Sequence, residues 1–185
     1  MLTQAVTSAA PAEREHVVST IVLAFVRDPI ARWVWRDPHG YLDHFPPFVD
    51  AFGGRAFSSG SAHRTGDGLG AALWLPPEVR PDEDTMVALI ERTVDAARLP
   101  TVYELFEQMG RYHPAEPHWY LPLIGVDPRM QDRGYGSALL QHALGGSTRR
   151  DAWPIWSSQT RSTSPCTGGT ASRSPERSSS AMRLP

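Results

Sequence analysis

One stretch limits what this chain can fold into more than any other: L-I-G-V-D-P-R-M-Q-D-R-G-Y-G-S-A-L-L, residues 123–140. The apolar run His118 to Val126 predicts a strand, and Asp127-Pro128 stops it. Ser137 to Leu144 has the apolar spacing of an amphipathic helix. The connection between them carries Gly134 and Gly136. A glycine-bearing loop that feeds straight into a helix presents backbone N–H groups without helical partners, at the positive end of the helix dipole. That arrangement suits a phosphate or diphosphate. The two glycines permit close backbone approach, and Arg133 adds a charged donor. A bare strand-to-helix turn is the bland alternative.

Two nucleotide-binding patterns fail here. The dinucleotide fingerprint G-x-G-x-x-G needs a third glycine where Leu139 stands. The phosphate loop that ends in Gly-Lys-Ser/Thr needs a lysine, and all 18 basic residues are arginine.

Mixed α and β elements are predicted upstream. Glu15 to Trp35 is helical in spacing, interrupted at Asp28-Pro29 and ended by Asp37-Pro38. Tyr41 to Phe52 predicts a second helix, stopped at Gly53-Gly54. Ala56 to Arg64 and Leu69 to Leu75 read as strands joined by the turn Thr65-Gly66-Asp67-Gly68. Pro81 to Ala97 is an amphipathic helix opened by Asp82, Glu83 and Asp84, and Val102 to Tyr112 is another. Trp33, Trp35, Tyr41, Phe45, Phe48 and Phe52 are expected in the core, with an acceptor pocket as the alternative. His39, His44 and His63 lack metal-ligand spacing, and Glu104, Glu107 and Arg111 suit a solvated helix face.

The chain changes character after residue 145. Residues 146–185 hold ten serines, five threonines and six arginines against Asp151 and Glu176, a net charge of +4. Beyond Trp156 only Met182 and Leu184 are aliphatic or aromatic and larger than alanine. Such a segment buries too little apolar surface to offset its ordering entropy. The expected organisation is an arm over 1–14, one domain over 15–145 and a poorly ordered tail over 146–185. The net charge of −2 argues against a nucleic-acid binder. No apolar run reaches the roughly 18–20 residues that a membrane helix needs, and no signal peptide is visible. The single cysteine, Cys166, excludes an internal disulfide framework and points to a reducing cytoplasm.

Q-D-R-G-Y-G, Gln131 to Gly136, resembles the Gln/Arg-x-x-Gly-x-Gly/Ala signature of the GNAT N-acetyltransferases. The likeness extends upstream into the apolar strand and downstream into S-A-L-L-Q-H-A-L. It implies an α/β (α+β) fold with a mixed, mostly antiparallel central sheet flanked by helices. It also implies acetyl-CoA as cosubstrate and an amine as acceptor, and it leaves room for a homodimer. The loop Gln131, Asp132, Arg133, Gly134, Tyr135, Gly136 and Ser137 would hold the CoA diphosphate. The backbone of Ile124, Gly125 and Val126 would pair with the pantetheine arm. With period two, His118, Tyr120, Pro122, Ile124 and Val126 share one face. Tyr120 stands where such enzymes often carry the base, His118 has the better unperturbed pKa at about 6.5, and Glu116 is a third candidate.

The family C-terminus, with its final strands and the pattern Glu-x-x-Asn…Tyr-x-x-x-Gly-Phe, is missing after Leu144. Codons can be chosen for Trp156 to Glu176 that, read from their third base, encode E-F-A-N-P-L-N-I-P-L-Y-R-R-H-G-F-E-V-T-G-E. Cys166 constrains that reading, because its codon must begin TG. The likeness therefore implies a changed reading frame, placed just after Leu144. Such a chain would be weakly active or inactive. The alternatives are a non-catalytic CoA-binding module and an interaction protein acting through its basic tail.

Overall fold

The computed structural model describes residues 5–145 and the backbone of residues 155–156. The tail expectation falls on 146–185 and, apart from those two positions, lies outside the described residues. So does Cys166.

Aspartates set the starts of three helices. Asp28 Oδ1 accepts from the Ile30 and Ala31 amides and opens α2 (Pro29–Val34), which separates it from α1 (Arg14–Ala24) as the Asp28-Pro29 pair predicts. Asp37 accepts from Gly40 N and opens α3 (Pro38–Gly53), longer than expected because Asp37-Pro38 starts it. Asp82 accepts from Thr85 N and opens α5 (Glu83–Thr93). α6 follows over Leu99–Arg111.

Ala56 to Arg64 is not one strand. Arg55–Ser58 forms a short helix, α4, that buries Ala56 and Phe57. Ser58-Ser59-Gly60 breaks it, with Gly60 at φ 64°, and β2 runs only from Ala62 to Thr65. The Ser61 hydroxyl bonds the Trp74 carbonyl at 2.5 Å and locks that corner. The predicted turn joins β2 to β3 (Gly70–Leu75), with Gly68 at φ 74°. A further strand, β1 (Val6–Ser8), lies in the stretch read as an arm, and Val6 pairs antiparallel with Thr65.

β4 covers Tyr120–Val126 and β5 covers Ile155–Trp156. The sheet order is β1-β2-β3-β4-β5; the first four strands are antiparallel, and β5 runs parallel to β4. β5 sits in the segment expected to lack core-forming pattern, at Ile155 and Trp156. The loss of every strand beyond β4 is therefore not complete.

The core lies between the sheet and α1, α3 and α5. Phe45 stacks on Tyr41 at 4.9 Å and meets Trp35 edge-on at 5.9 Å. Phe48 contacts Phe52 and Phe106; Trp35, Tyr41, Phe45, Phe48 and Phe52 are buried in the core, Trp33 packs half-buried against it, and Phe52 also borders a cavity. The Tyr41 hydroxyl donates to the Val22 carbonyl. On the other face α7 (Tyr135–Gly145) packs Leu139 and Ala143 against Ala72, Trp74 and Leu121.

A bulge divides β4. Leu73 faces Leu123, but Leu75 faces Tyr120, so three steps of β4 span two of β3. Pro122 lies inside the irregularity and has no N–H to give the ladder. The bulge breaks the period of two. Tyr120 and Leu123 pack into the α1–α3 core, whereas Leu121 and Ile124 pack toward α7. Tyr120 and Ile124 therefore lie on opposite faces, not on the shared face that alternation predicts.

Candidate active site

The loop between β4 and α7 is fastened at three points. Asp127 is buried, and its carboxylate accepts from the Arg129 amide at 2.8 Å and pairs with the Arg129 guanidinium at 2.8 Å. Those hydrogen bonds hold the Asp127 carboxyl below its ordinary pKa. The Asp127 amide donates to the Leu69 carbonyl at 2.8 Å, which ties the loop's start to the hairpin. The Tyr135 hydroxyl donates to Asp67 Oδ2 and ties its end to the same hairpin.

Between these anchors Gln131, Asp132 and Arg133 are exposed. Asp132 sits at φ 60° and Gly134 at φ 87°. A Cβ added at Gly134 or at Gly136 would meet no atom of the described residues within 4 Å. Packing against the described residues thus does not demand glycine at position 136. The first helical bond of α7 runs from Ala138 N to Gly134 O, so the Gly136 and Ser137 amides precede the helix's own acceptors. An anion seated there meets amide donors and the positive helix end together.

Among the described residues, β5 pairs with the outer edge of β4 at Tyr120 and Leu121. Among the described residues, no strand covers β4 from Pro122 to Val126 on that side. Gly125 faces α1, where a Cβ would come within 2.6 Å of Ala24 Cβ. Glycine here lets the helix approach the sheet closely.

A cavity of about 570 Å³ adjoins the N-terminal half of β4. Phe52 of α3, Met86 and Ile90 of α5, and Phe106 and Met109 of α6 provide its apolar wall. Among the described residues, Glu78, Glu83 and Glu116 line it against a single arginine, Arg80. Its β4 side carries Tyr120, His118 and His113. Burial raises the Tyr120 phenol far above its ordinary pKa, so it keeps its proton. The ring of Tyr120 meets Phe52 edge-on at 5.9 Å and His113 edge-on at 4.5 Å. His118 Nε2 lies 3.3 Å from His113 Nδ1, and His118 Nδ1 lies 2.8 Å from the Glu116 carbonyl oxygen.

Two groups of sequence-selected residues thus occupy distinct places. Ile124 to Val126 and Gln131 to Ser137 form one continuous edge and loop, while Glu116, His118 and Tyr120 border the cavity. His113 escaped notice in the sequence. Its only signal is H-P-A-E-P-H, residues 113–118, whose prolines turn the chain so that two histidines five positions apart meet. Asp67 as the partner of Tyr135 left no local signal at all.

Residues 82–152 match the model of the acetyltransferase (GNAT) family. Among solved structures the chain is similar to one described as histone acetyltransferase HPA2 and related acetyltransferase, from Corynebacterium glutamicum. That match has 25% identity and a TM-score of 0.51, and covers 78% of this chain and 71% of the other. A second structure, described as an acetyltransferase, has 19% identity and a TM-score of 0.39, over 75% of this chain and 71% of the other.

Proposed function

We propose that this chain, a GNAT-family acetyltransferase in fold and in its matched segment, moves the acetyl group of acetyl-CoA onto the amine of a small molecule. The observation that carries this reading is the course of β4. Among the described residues β5 pairs with its outer edge at Tyr120 and Leu121, and no described strand covers that edge from the Pro122 bulge to the glycine loop. An extended arm added to that edge as a strand gains main-chain hydrogen bonds from Ile124 to Val126. Its diphosphate end then reaches the Gly134–Ser137 amides, and its acyl end reaches the bulge beside Tyr120. Arg133, exposed on the loop, supplies a cation for the phosphates.

The acceptor enters the cavity from the other side. Its volume lies within the roughly 300–1,000 Å³ common for small-molecule sites. Three carboxylates against one guanidinium favour a cation, which suits an amine arriving as ammonium. The phenol of Tyr120 stays protonated and donates a hydrogen bond near the reacting carbonyl, where developing negative charge is stabilised.

Acetyl-CoA-dependent thiol release, measured over a panel of small amines alongside calorimetric CoA binding, tests this. Amine-dependent release is expected. CoA binding without release would make the protein a CoA-binding module, and neither binding nor release would end the acetyltransferase reading.

A further inference from the structure

With His118 neutral, hydrogen bonding joins His113 and His118 in one direction. His118 Nδ1 lies 2.8 Å from the Glu116 carbonyl oxygen. A carbonyl can only accept, so His118 Nδ1 carries a hydrogen. In neutral His118 the Nε2 atom is then a bare acceptor, and His113 Nδ1 at 3.3 Å is its donor. Both nitrogens of His118 are thereby engaged. His113 keeps its lone pair on Nε2, which makes no hydrogen bond to any described residue. Its ring borders the cavity beside Tyr120.

We propose that His113 is the catalytic base for the acceptor amine, and that His118 and the Glu116 carbonyl are the positioning chain that holds His113 in the required tautomer. This assignment rests on the acetyl transfer proposed above. The acceptor arrives as R–NH₃⁺, and His113 Nε2 takes one proton. The amine lone pair then forms the C–N bond while the carbonyl π pair moves to oxygen. When the C=O bond re-forms, the C–S pair leaves with sulfur. The surplus proton on nitrogen passes to the thiolate, and His113 returns its proton to water. The products are the N-acetyl amine, CoA thiol and one proton.

The geometry favours each proton move. Protonated His113 donates from Nδ1 to His118 Nε2 as a charge-assisted hydrogen bond, which strengthens as the charge forms. Burial, and then the neighbouring His118, hold His113 below its ordinary pKa, so it is neutral at neutral pH. Among the described residues, Glu78 and Arg80 before α5, Glu83 on α5, Tyr103 on α6, and Glu116, His118 and Tyr120 are the other titratable and charged groups at this cavity. Tyr120 keeps its proton, and the carboxylates attract the ammonium rather than compete for Nε2.

Two measurements on the full chain test the assignment. Long-range proton–nitrogen NMR with labelled histidine reads the tautomers without turnover. Hydrogen on Nδ1 of both rings, with Nε2 of His113 bare, is expected; hydrogen on Nε2 of His113 overturns the assignment. The second is the pH profile of kcat/KM with acetyl-CoA and phenethylamine. His113→Gln should lower kcat about 100-fold or more, leave KM for acetyl-CoA unchanged and abolish the acidic limb. His118→Gln should lower kcat less and shift that limb without removing it, and Tyr120→Phe should keep it in place. An acidic limb lost in His118→Gln and kept in His113→Gln refutes the base while leaving acetyl transfer intact. Wild-type protein that binds acetyl-CoA and never turns over refutes acetyl transfer and the base together.

Discussion

The Tyr135 hydroxyl donates to Asp67 Oδ2 across 2.6 Å, joining the first residue of α7 to the turn between β2 and β3. Thr65 Oγ1 and the Leu69 amide donate to Asp67 Oδ1 at 2.7 Å and 3.1 Å. One exposed carboxylate thus orders its own turn and fixes the start of the helix at the anion site.

This bond has a pH signature. Burial alone raises the Asp67 pKa, but the hydrogen bonds from Tyr135, Thr65 and the Leu69 amide outweigh it and hold the carboxyl below its ordinary value. A depressed folded-state pKa stabilises above the unfolded value, about 3.9, and that contribution is lost as pH falls through the lower folded value. Tyr135→Phe and Asp67→Asn should therefore lower Tm at neutral pH, and the Asp67→Asn gap should close on acidification toward about pH 2. Thermal melts across that range check it; a gap that persists at the acid end contradicts it.

Gly125 is needed for packing. A Cβ there would lie 2.6 Å from Ala24 Cβ and 3.2 Å from Ile21 Cδ1. Gly125→Ala should destabilise the protein by about 1–3 kcal/mol, the usual cost of overpacking. Ala24→Gly added to it should recover part of that loss, because the two sites share one contact. Denaturant unfolding of the double-mutant cycle measures both.

The two loop glycines should separate stability from binding. Gly136 lies within α7, and a Cβ there would meet no described residue within 4 Å. Gly136→Ala should leave the fold as stable or slightly more so, since alanine is the better helix former, yet weaken CoA binding by filling the space for the diphosphate. Gly134→Val should lose both, because φ 87° is strained for valine. Calorimetric titration with CoA beside thermal melts reads the pattern; unchanged affinity in both variants removes the diphosphate loop.

The reading frame should change near Trp156 rather than just after Leu144. The family match continues to residue 152, and Ile155–Trp156 pairs with β4 in the frame as written. An AGT or AGC codon at Ser157 would supply the family's glutamate from the last base of the Trp156 codon onward. Resequencing the locus tests this directly. A version whose frame is restored at that point should release thiol from acetyl-CoA faster than the chain as written, and equal turnover by both would show that the family's C-terminal residues carry no catalysis here.

The sequence by itself determined whatever rests on neighbours along the chain. Asp127-Pro128 ends a strand, Gly134 and Gly136 open a loop, Leu139 and Ala143 mark the buried side of the next helix, and Thr65-Gly66-Asp67-Gly68 turns a hairpin. Each signal is a local backbone preference or a helical period, so the strand, loop, helix and family likeness were all legible. Tertiary structure decided what depends on partners distant in the chain or on the exact pairing register. β1 exists because β2 offers it an edge, and the bulge at Pro122 appears only when β4 is laid against β3. That one-residue slip sends Tyr120 to the cavity and Ile124 to the opposite face. Alternation counts residues without knowing the partner strand, so it cannot locate such a slip. The direction of the His113–His118 bond likewise depends on a carbonyl that must accept and on a fold that places three groups within hydrogen-bonding distance.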